Sequence, residues 1–177
     1  MMKSVLIAIR PQWVEKIASG EKTIEVRKTA PQEVPFKCYI YMTQGKLKDL
    51  GIYSEWVYKN RMKVIGEFIC DKVYMSIVGY RKNEPCYWDI LNGSCLTKDE
   101  IMNYGKWKTL YGWHISDLKI YDKPKELGDF KKHCHYKDRN SYCLANECEY
   151  YSDWTGICCN WVERPPQSWQ YVEGIEK

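Results

Sequence analysis

A short run near the beginning of the chain places four functional side chains close together. Between residues 22 and 27 it carries the ammonium of Lys22, the hydroxyl of Thr23, the carboxylate of Glu25 and the guanidinium of Arg27. Arg27 could clamp a phosphate or carboxylate with two hydrogen bonds, and Lys22 could neutralise one as a point charge. Buried beside a base or an amide, Lys22 could instead act as a catalytic nucleophile or base if its pKa fell, and Glu25 is the other catalytic candidate. The opposing interpretation is a surface salt-bridge ladder, in which each pair contributes about 0–1 kcal/mol.

Aromatic and polar side chains further along the chain are candidates for ligand contact. Trp113 and Trp169 lie in predicted strands, and a base stacked on such a ring gains about 1–3 kcal/mol. His114 could exchange a proton near neutral pH, although a single histidine in a strand is more often structural. Ser168 could donate a hydrogen bond, but no His/Asp pattern marks it as a nucleophile. Trp13 recurs with Ile17 at helical spacing, which predicts a core position.

A cysteine-rich segment, residues 127–164, predicts a structural zinc site. It contains five of the nine cysteines and two of the three histidines, and aliphatic residues are rare in it. Zinc takes four Cys or His ligands in a tetrahedron and commonly uses one closely spaced pair. The predicted ligands are Cys134, Cys143, Cys148 and Cys158, and Cys159, His133 or His135 could replace one of them. Metal binding would supply the folding energy that this apolar-poor segment lacks, and the alternative is an ordered loop with free thiols.

Local signals predict two helices, one of which leads directly into the polar run. Pro11 suits the first turn of a helix that continues to Ser19 and ends at Gly20. A second helix begins with a capping box at Thr97 and ends at Gly105. In contrast, residues 43–61 are predicted to form a loop or a weak hairpin, and residues 77–95 show no clear period.

Period-two alternation predicts several strands. Their ranges are residues 3–10, 23–27, 36–42, 63–73, 112–121 and 168–173. In the second of them Thr23, Glu25 and Arg27 share one face, while two aliphatic residues occupy the other and anchor the strand in a core. Gly66 indicates a bulge or a close backbone approach within the fourth. Short helices among strands, in no βαβ order, indicate a small barrel-like α+β fold in one domain, residues 1–177, with residues 127–164 as an insertion.

Composition restricts the functional classes without selecting one. The length of 177 residues suits a single domain, and 45% hydrophobic residues exclude wholesale disorder. A net charge of +4 permits a polyanionic partner but does not require one. Eight Trp and fifteen Tyr favour a stacking site, although such rings also cover strand faces. Neither a signal peptide nor an apolar run of about 18 residues is found, so we predict a cytoplasmic protein, in which clustered cysteines favour metal over disulfides.

The polar run and its surroundings resemble a known family. Residues 7–11 (IAIRP) and 20–27 (GEKTIEVR) are similar to the N-terminal signature of ASCH domains, which belong to the PUA-like superfamily. Residues 64–68 (VIGEF) and 113–118 (WHISDL) resemble later strands of that family. Residues 164–169 (RPPQSW) are similar to the ending of a phage- and prophage-associated subgroup.

This resemblance implies a PUA-like mixed β-barrel with short flanking helices and a cleft beside residues 20–27. Clefts in this superfamily are associated with RNA or modified nucleosides, so an RNA- or nucleotide-binding module is expected, with a regulatory role as one option. The ligand-binding residues would be Lys22, Thr23, Glu25, Arg27, Trp113, His114, Ser168 and Trp169. A zinc-stabilised protein-interaction factor is a further alternative.

The resemblance also implies a hydrolase as an alternative, either an amidohydrolase or a ribonuclease. One bacterial branch of the superfamily hydrolyses N4-acetylcytidine with a Lys at the position of Lys22, together with a Thr and a Glu. The Thr of that branch falls where this chain has Glu25, which favours binding over catalysis. Glu67 and Glu100 are the residues of this chain that could stand in for the catalytic Glu of that branch, as a second carboxylate beside Glu25.

Overall fold

The structure is a computed structural model that describes residues 2–46, 53–77, 85–133, 151–152, 157–158 and 160–175. Among the predicted zinc ligands, Cys134, Cys143 and Cys148 lie outside the described residues, and of Cys158 only the backbone is described. Within the described ranges no group of three or more His, Cys, Asp or Glu side chains could hold a metal. Zinc binding by residues 127–164 therefore stays a prediction.

Four α-helices flank the strands of the described part of the chain. In order the elements are β1 (Ser4–Ile9), α1 (Pro11–Ala18), β2 (Ile24–Arg27), β3 (Phe36–Met42), α2 (Glu55–Asn60), β4 (Val64–Cys70), β5 (Val73–Ile77), α3 (Pro85–Ser94), α4 (Lys98–Gly105), β6 (Thr109–His114), β7 (Ser116–Lys125), a 3₁₀ helix (Leu127–Asp129), β8 (Tyr151–Ser152), β9 (Ile157–Cys158) and β10 (Trp169–Val172). The predicted α+β class is confirmed. None of the helices in the described ranges has the length and apolar character needed to span a membrane.

The strands form two main sheets. One has the order β10-β1-β3-β4-β7 and the other the order β2-β6-β5, while β8 and β9 pair with each other. Strands β1 and β3 are parallel neighbours, with Ser4 opposite Lys37. This parallel pair is not among the sequence predictions, which found no βαβ order. The crossover that parallel strands require contains α1 together with β2, which joins the other sheet.

The inner strands of the larger sheet are buried on both faces. On β1, Val5, Ile7 and Ile9 pack in the main core between the sheets, whereas Leu6 packs with Phe130 in a second cluster. A third cluster places Ile24 and Val26 of β2 against Ile90 of α3 and Ile101 of α4, among others. Strand β2 therefore has one face anchored by helices and its other face directed to the interior of the domain.

Several predicted element boundaries are wrong. The predicted strand 63–73 ends at Cys70 and a new strand begins at Val73, while the predicted strand 112–121 is divided at Ile115. The structure forms α2 inside the predicted loop 43–61 and α3 where no period was visible. Helix α2 buries only Val57 and Asn60, and such a short helix shows too little of the 3.6-residue period to be detected.

The close approach predicted at Gly66 is confirmed. A Cβ atom at this position would lie 2.5 Å from the carbonyl oxygen of Lys119 on β7. The pairing of β4 with β7 also shifts register between Val64 and Gly66. Glycine at position 66 therefore permits the backbone of β7 to approach β4 more closely than any side chain would allow.

Candidate functional site

Helix α1 and its tight C-terminal turn position Lys22. The backbone N–H of Gly20 donates to the carbonyl of Ile17 at 3.0 Å, and the N–H of Lys22 donates to the carbonyl of Lys16 at 2.9 Å. Gly20 has a φ of +80°, a conformation that glycine adopts without the steric cost of a Cβ. The chain therefore reverses immediately after the helix and reaches β2 through the short connection 19–23.

Strand β2 shows the alternation predicted from the sequence. Glu25 lies opposite Trp113 of β6 and Arg27 opposite Tyr111, while the aliphatic residues of β2 pack against α3 and α4. Thr23 is exposed and outside the strand. Its N–H donates to the carbonyl of Gly93, and its own carbonyl accepts from the N–H of Ile115, both at 2.9 Å.

Lys22, Glu25 and Arg27 form an ion triad. The Lys22 Nζ lies 3.3 Å from one carboxylate oxygen of Glu25, and the Arg27 Nη2 lies 3.1 Å from the other. The side chains of Lys22, Glu25 and Arg27 are only 2%, 7% and 12% exposed, respectively. Because the triad is buried, it is not the surface salt-bridge ladder that composition alone allows.

Backbone carbonyls from distant segments hold the two cations. Lys22 Nζ donates to the carbonyl of Ser94 and Arg27 Nη2 donates to the carbonyl of Ala8, each at 2.7 Å. An ammonium has three donors, so the Lys22 head group has one left after Glu25 and Ser94. The buried Arg27 Nε has no hydrogen-bond partner within the described structure. The triad thus retains donors for a ligand.

A cavity of about 580 Å³ lies over the triad. Its walls come from the end of β1 and the start of α1, from β2, from α4 and its N-terminal approach, and from the segment before β10. The lining residues are Ala8, Ile9, Arg10, Trp13, Lys22, Glu25, Val26, Arg27, Thr43, Leu96, Glu100, Asn103, Tyr104, Pro165, Pro166, Gln167 and Ser168. The N–H of Ala8 donates to the carbonyl of Ser168 at 3.0 Å, which fixes residues 165–168 against β1.

Three cationic and two aromatic side chains are among the residues of the cavity wall. Arg10 adds a third cation to Lys22 and Arg27, whereas Glu25 and Glu100 are the carboxylates among the lining residues. The Trp13 ring centroid lies 5.4 Å from Lys22 Nζ, a cation–π distance. Trp13 packs partly on the core, as predicted, but it also lines the cavity. Its helical spacing could not reveal this second role, because Trp13 lies at the boundary between the buried and open faces of α1.

Tyr104 is a cavity residue that sequence reasoning missed. It lies near the end of α4, is 36% exposed, and has Lys28 Nζ 4.9 Å from its ring centroid. Asn103 precedes it on the same helix and also lines the cavity. The packing of α4 beside β2, which brings Tyr104 to the cavity, leaves no local signal in the sequence.

The two tryptophans predicted to stack a ligand do not line the cavity. Trp113 is fully buried, with its ring centroid 5.0 Å from that of Phe36 and 5.6 Å from that of Trp169. Because the ring has no exposed face, we assign Trp113 to the core. Trp169 is partly exposed, and its Nε1 donates to Thr29 Oγ1 at 3.0 Å.

His114 also lies away from the cavity. It pairs with Ile24 and therefore lies on the opposite face of the sheet from Glu25. Its Nδ1 lies 2.7 Å from Asp71 Oδ1, and this hydrogen bond lowers the pKa of Asp71. Of the predicted ligand-binding residues, Lys22, Glu25, Arg27 and Ser168 line the cavity, whereas Thr23, Trp113, His114 and Trp169 do not.

The two stand-in carboxylates differ in position. Glu100 lines the cavity, and its Oε2 accepts from the N–H of Thr97 at 2.8 Å in the capping box of α4. Glu67 lies on β4, outside the cavity lining, where it accepts hydrogen bonds from Lys37 and Tyr121. Of these two carboxylates, only Glu100 therefore shares a cavity with Lys22.

Comparison with solved structures identifies the fold. No protein-family model and no curated protein sequence matches the chain. The crystal structure of an ASCH protein from Zymomonas mobilis aligns with a TM-score of 0.59 and 16% identity over 97% of this chain and 88% of that one. A single-residue mutant of that protein aligns with the same TM-score and identity over 97% of this chain and 91% of the other. The resemblance to ASCH domains is thus confirmed in the fold.

Proposed function

Since the chain has the fold of an ASCH protein, we propose that its cavity binds a nucleotide, either free or as part of a single-stranded RNA. The observation that supports this most directly is the buried triad of Lys22, Glu25 and Arg27 beneath the cavity. A volume of about 580 Å³ falls within the range of about 300–1,000 Å³ that is typical of small-molecule sites. Charged groups that are removed from water at such a site discriminate strongly between ligands.

The base and the phosphate of a nucleotide each have a counterpart in the cavity wall. Lys22 and Arg27 can donate to phosphate oxygens or to base carbonyls, and Glu25 can accept from a base amino group. The partly exposed rings of Trp13 and Tyr104 can stack on a base. Arg10 is exposed at the cavity wall and can neutralise a phosphate that remains in solvent.

Variants at the cavity wall test this proposal without disturbing the core. Replacing Arg10→Ala or Tyr104→Ala removes an exposed side chain, so we expect a folded protein that binds about tenfold more weakly. Intrinsic fluorescence titration with mononucleotides and short single-stranded RNAs would measure the affinity, and binding should weaken as salt rises. Wild-type protein that binds none of these ligands would refute the proposal.

The triad itself is tested by the double variant Lys22→Ala/Arg27→Ala. We expect it to lose nucleotide binding, and circular dichroism would establish that it is folded. Glu25→Gln keeps the side-chain shape and serves as a second variant if the double variant unfolds. The matched control is Lys37→Ala, which breaks an ion pair of the same type with Glu67 at 3.2 Å, outside the cavity lining. Unchanged affinity in folded triad variants would exclude this cavity as the site.

A hydrolase is the second candidate function, because Lys22 shares its cavity with the carboxylates of Glu25 and Glu100. Such a set could position an amide or a phosphodiester and transfer a proton. Incubation with N4-acylated cytidines and with RNA, followed by chromatography, would detect products. We expect Lys22→Met to abolish any turnover, and a folded, metal-replete wild-type protein without products would exclude this function.

A further inference from the structure

We propose that the RNA in the cavity continues across an adjoining surface at the end of α4, so that the preferred ligand is a single-stranded polymer. This inference rests on the proposed function of the cavity. The surface, which we term the α4-end surface, consists of Lys28, Tyr104, Lys106, Trp107 and Lys108. Tyr104 belongs both to this surface and to the cavity wall, so the two are continuous.

Trp107 presents an open ring. It is 63% exposed, the largest value among the exposed apolar side chains of the described residues. Other exposed rings have a cation over one face: Trp88 has Lys98 at 5.3 Å, Trp161 has Lys131 at 4.6 Å and Tyr104 has Lys28 at 4.9 Å. In the described structure no cation or aromatic ring contacts Trp107 in this way. A ring face of this kind is available for stacking.

The backbone fixes this exposed position. Lys106 and Trp107 have φ values of +48° and +64°, a left-handed conformation that is rare for bulky side chains. The N–H of Lys106 donates to the carbonyl of Met102 at 2.9 Å, and the N–H of Lys108 donates to that of Gly105 at 3.0 Å. Trp107 is therefore held on an ordered turn that directs the chain from α4 into β6.

The charges around Trp107 select a polyanion. Lys106 and Lys108 flank it, are exposed, and form no ion pair within the described ranges. Their charges exceed the partial negative charge at the end of the helix. Sequence-tolerant binding of single strands combines aromatic platforms with a cationic track along the backbone. A single-stranded RNA provides both bases for Tyr104 and Trp107 and phosphates for the lysines.

The spacing also suits neighbouring nucleotides. Because Trp107 follows Tyr104 by three residues, their Cα atoms are at most about 11 Å apart. One nucleotide in the cavity and the next ones on the α4-end surface would thus occupy adjoining positions. The cavity would bind one unit, and the α4-end surface would make a longer strand bind more tightly.

Trp107→Ala tests this extension, with Trp88→Ala as the matched control. Trp88 is also an exposed tryptophan, at 43%, but it is covered by Lys98 at the opposite end of α4. Affinities would be measured for a mononucleotide and for single-stranded RNAs of about two to six nucleotides. For wild type we expect affinity to rise with length. Trp107→Ala should weaken the binding of oligonucleotides about tenfold and leave the affinity for the mononucleotide unchanged, whereas Trp88→Ala should change neither affinity.

Two variants and a second probe separate the possible outcomes. Lys106→Ala/Lys108→Ala should reduce the salt dependence of oligonucleotide binding but not that of mononucleotide binding. The extension would be overturned if oligonucleotides bound no more tightly than a mononucleotide, or if Trp107→Ala left their affinity unchanged. Either result would leave the proposed function intact. If Trp107 affected binding to anionic vesicles and not to RNA, the surface would belong to a membrane contact and the extension would be wrong. A wild type that binds neither RNA nor mononucleotide would overturn both proposals.

Discussion

Glu25 and Glu67 both lie on strands and accept hydrogen bonds through their carboxylates. Their surroundings differ in the exposure of the side chain and in the number of neighbouring cations. The side chain of Glu25 is 7% exposed and lies between two cations, Lys22 and Arg27. The side chain of Glu67 is 19% exposed and lies between one cation, Lys37, and the neutral hydroxyl of Tyr121. The triad around Glu25 is thus a buried cluster with an excess positive charge, and only this cluster adjoins the cavity.

The Glu67 cluster is complete without a ligand. Burial raises the pKa of Glu67, but hydrogen bonds from Tyr121 and Lys37 outweigh burial and leave that pKa below its ordinary value. Burial and the same carboxylate raise the pKa of Tyr121. A further lysine opposite Glu67, Lys119, is exposed to solvent. An excess charge is costly where water is excluded, so the triad, unlike the Glu67 cluster, gains from an anionic or electron-rich ligand.

The largest expected effect is the loss of stability in Glu25→Ala. This change leaves Lys22 and Arg27 buried without their counter-charge, which costs about 3–5 kcal/mol in buried ion pairs. Urea denaturation would measure the difference in the free energy of unfolding. A loss below about 1 kcal/mol would mean that the triad is solvated like a surface pair.

Ligand binding should then separate the two clusters. A nucleotide at about a hundredfold excess over its dissociation constant stabilises the folded state by about 2.7 kcal/mol. We expect Glu67→Gln to keep this stabilisation and Glu25→Gln to alter it, because only Glu25 adjoins the cavity and its replacement changes the charge of the triad. Denaturation with and without nucleotide would provide the comparison, and equal stabilisation of both variants would remove the distinction between the clusters.

Glu67→Gln alone should reduce stability at neutral pH by about 1 kcal/mol. Hydrogen bonds to a charged group are worth about 1.5–3 kcal/mol when buried, and partial exposure reduces this value. Urea denaturation again gives the measurement, with Lys119→Ala as a control for the exposed charge. A cost as large as that of Glu25→Ala would contradict the assignment of Glu67 to the less buried environment.

The smallest effect concerns pH. Because the pKa of Glu67 in the folded state lies below its ordinary value of 4.5, the unfolded state binds more protons as the solution is acidified. The contribution of Glu67 is therefore fully present above about pH 4.5 and is lost as the pH falls through the folded-state pKa. Accordingly, the stability difference between wild type and Glu67→Gln should narrow below about pH 4.5. If the stability difference between wild type and Glu67→Gln instead widened on acidification, the pKa of Glu67 in the folded state would lie above its ordinary value.

Local signals account for the part of the site that the sequence reveals. Pro11, Gly20 and the alternation of residues 23–27 suffice to predict a helix, its end and a two-faced strand, because each depends on neighbouring residues. The carbonyl of Ser94, which holds Lys22, and the α4 residues Glu100 and Tyr104 are brought in by tertiary packing. No local pattern encodes that packing.

Trp113 is a second example of a residue whose surroundings the local sequence does not predict. The sequence predicts a strand at this position, and the structure places Trp113 on the same face of its sheet as Glu25, with which it pairs. Whether that face is open depends on Phe36 and Trp169, which cover the ring and come from other strands. A strand pattern thus predicts the direction of a side chain but not what covers it.

The pairing of β1 with β10 imposes an order on the maturation of the site. Val172 pairs with Ser4, and the segment before β10 completes the cavity wall. A ribosome that adds about 5–20 residues per second would finish β2 on the order of ten seconds before it makes this segment. During that interval the nascent chain contains the triad residues but lacks one wall of the cavity. The cavity wall is therefore complete only after translation has passed residue 168, and a prematurely terminated product would lack that wall.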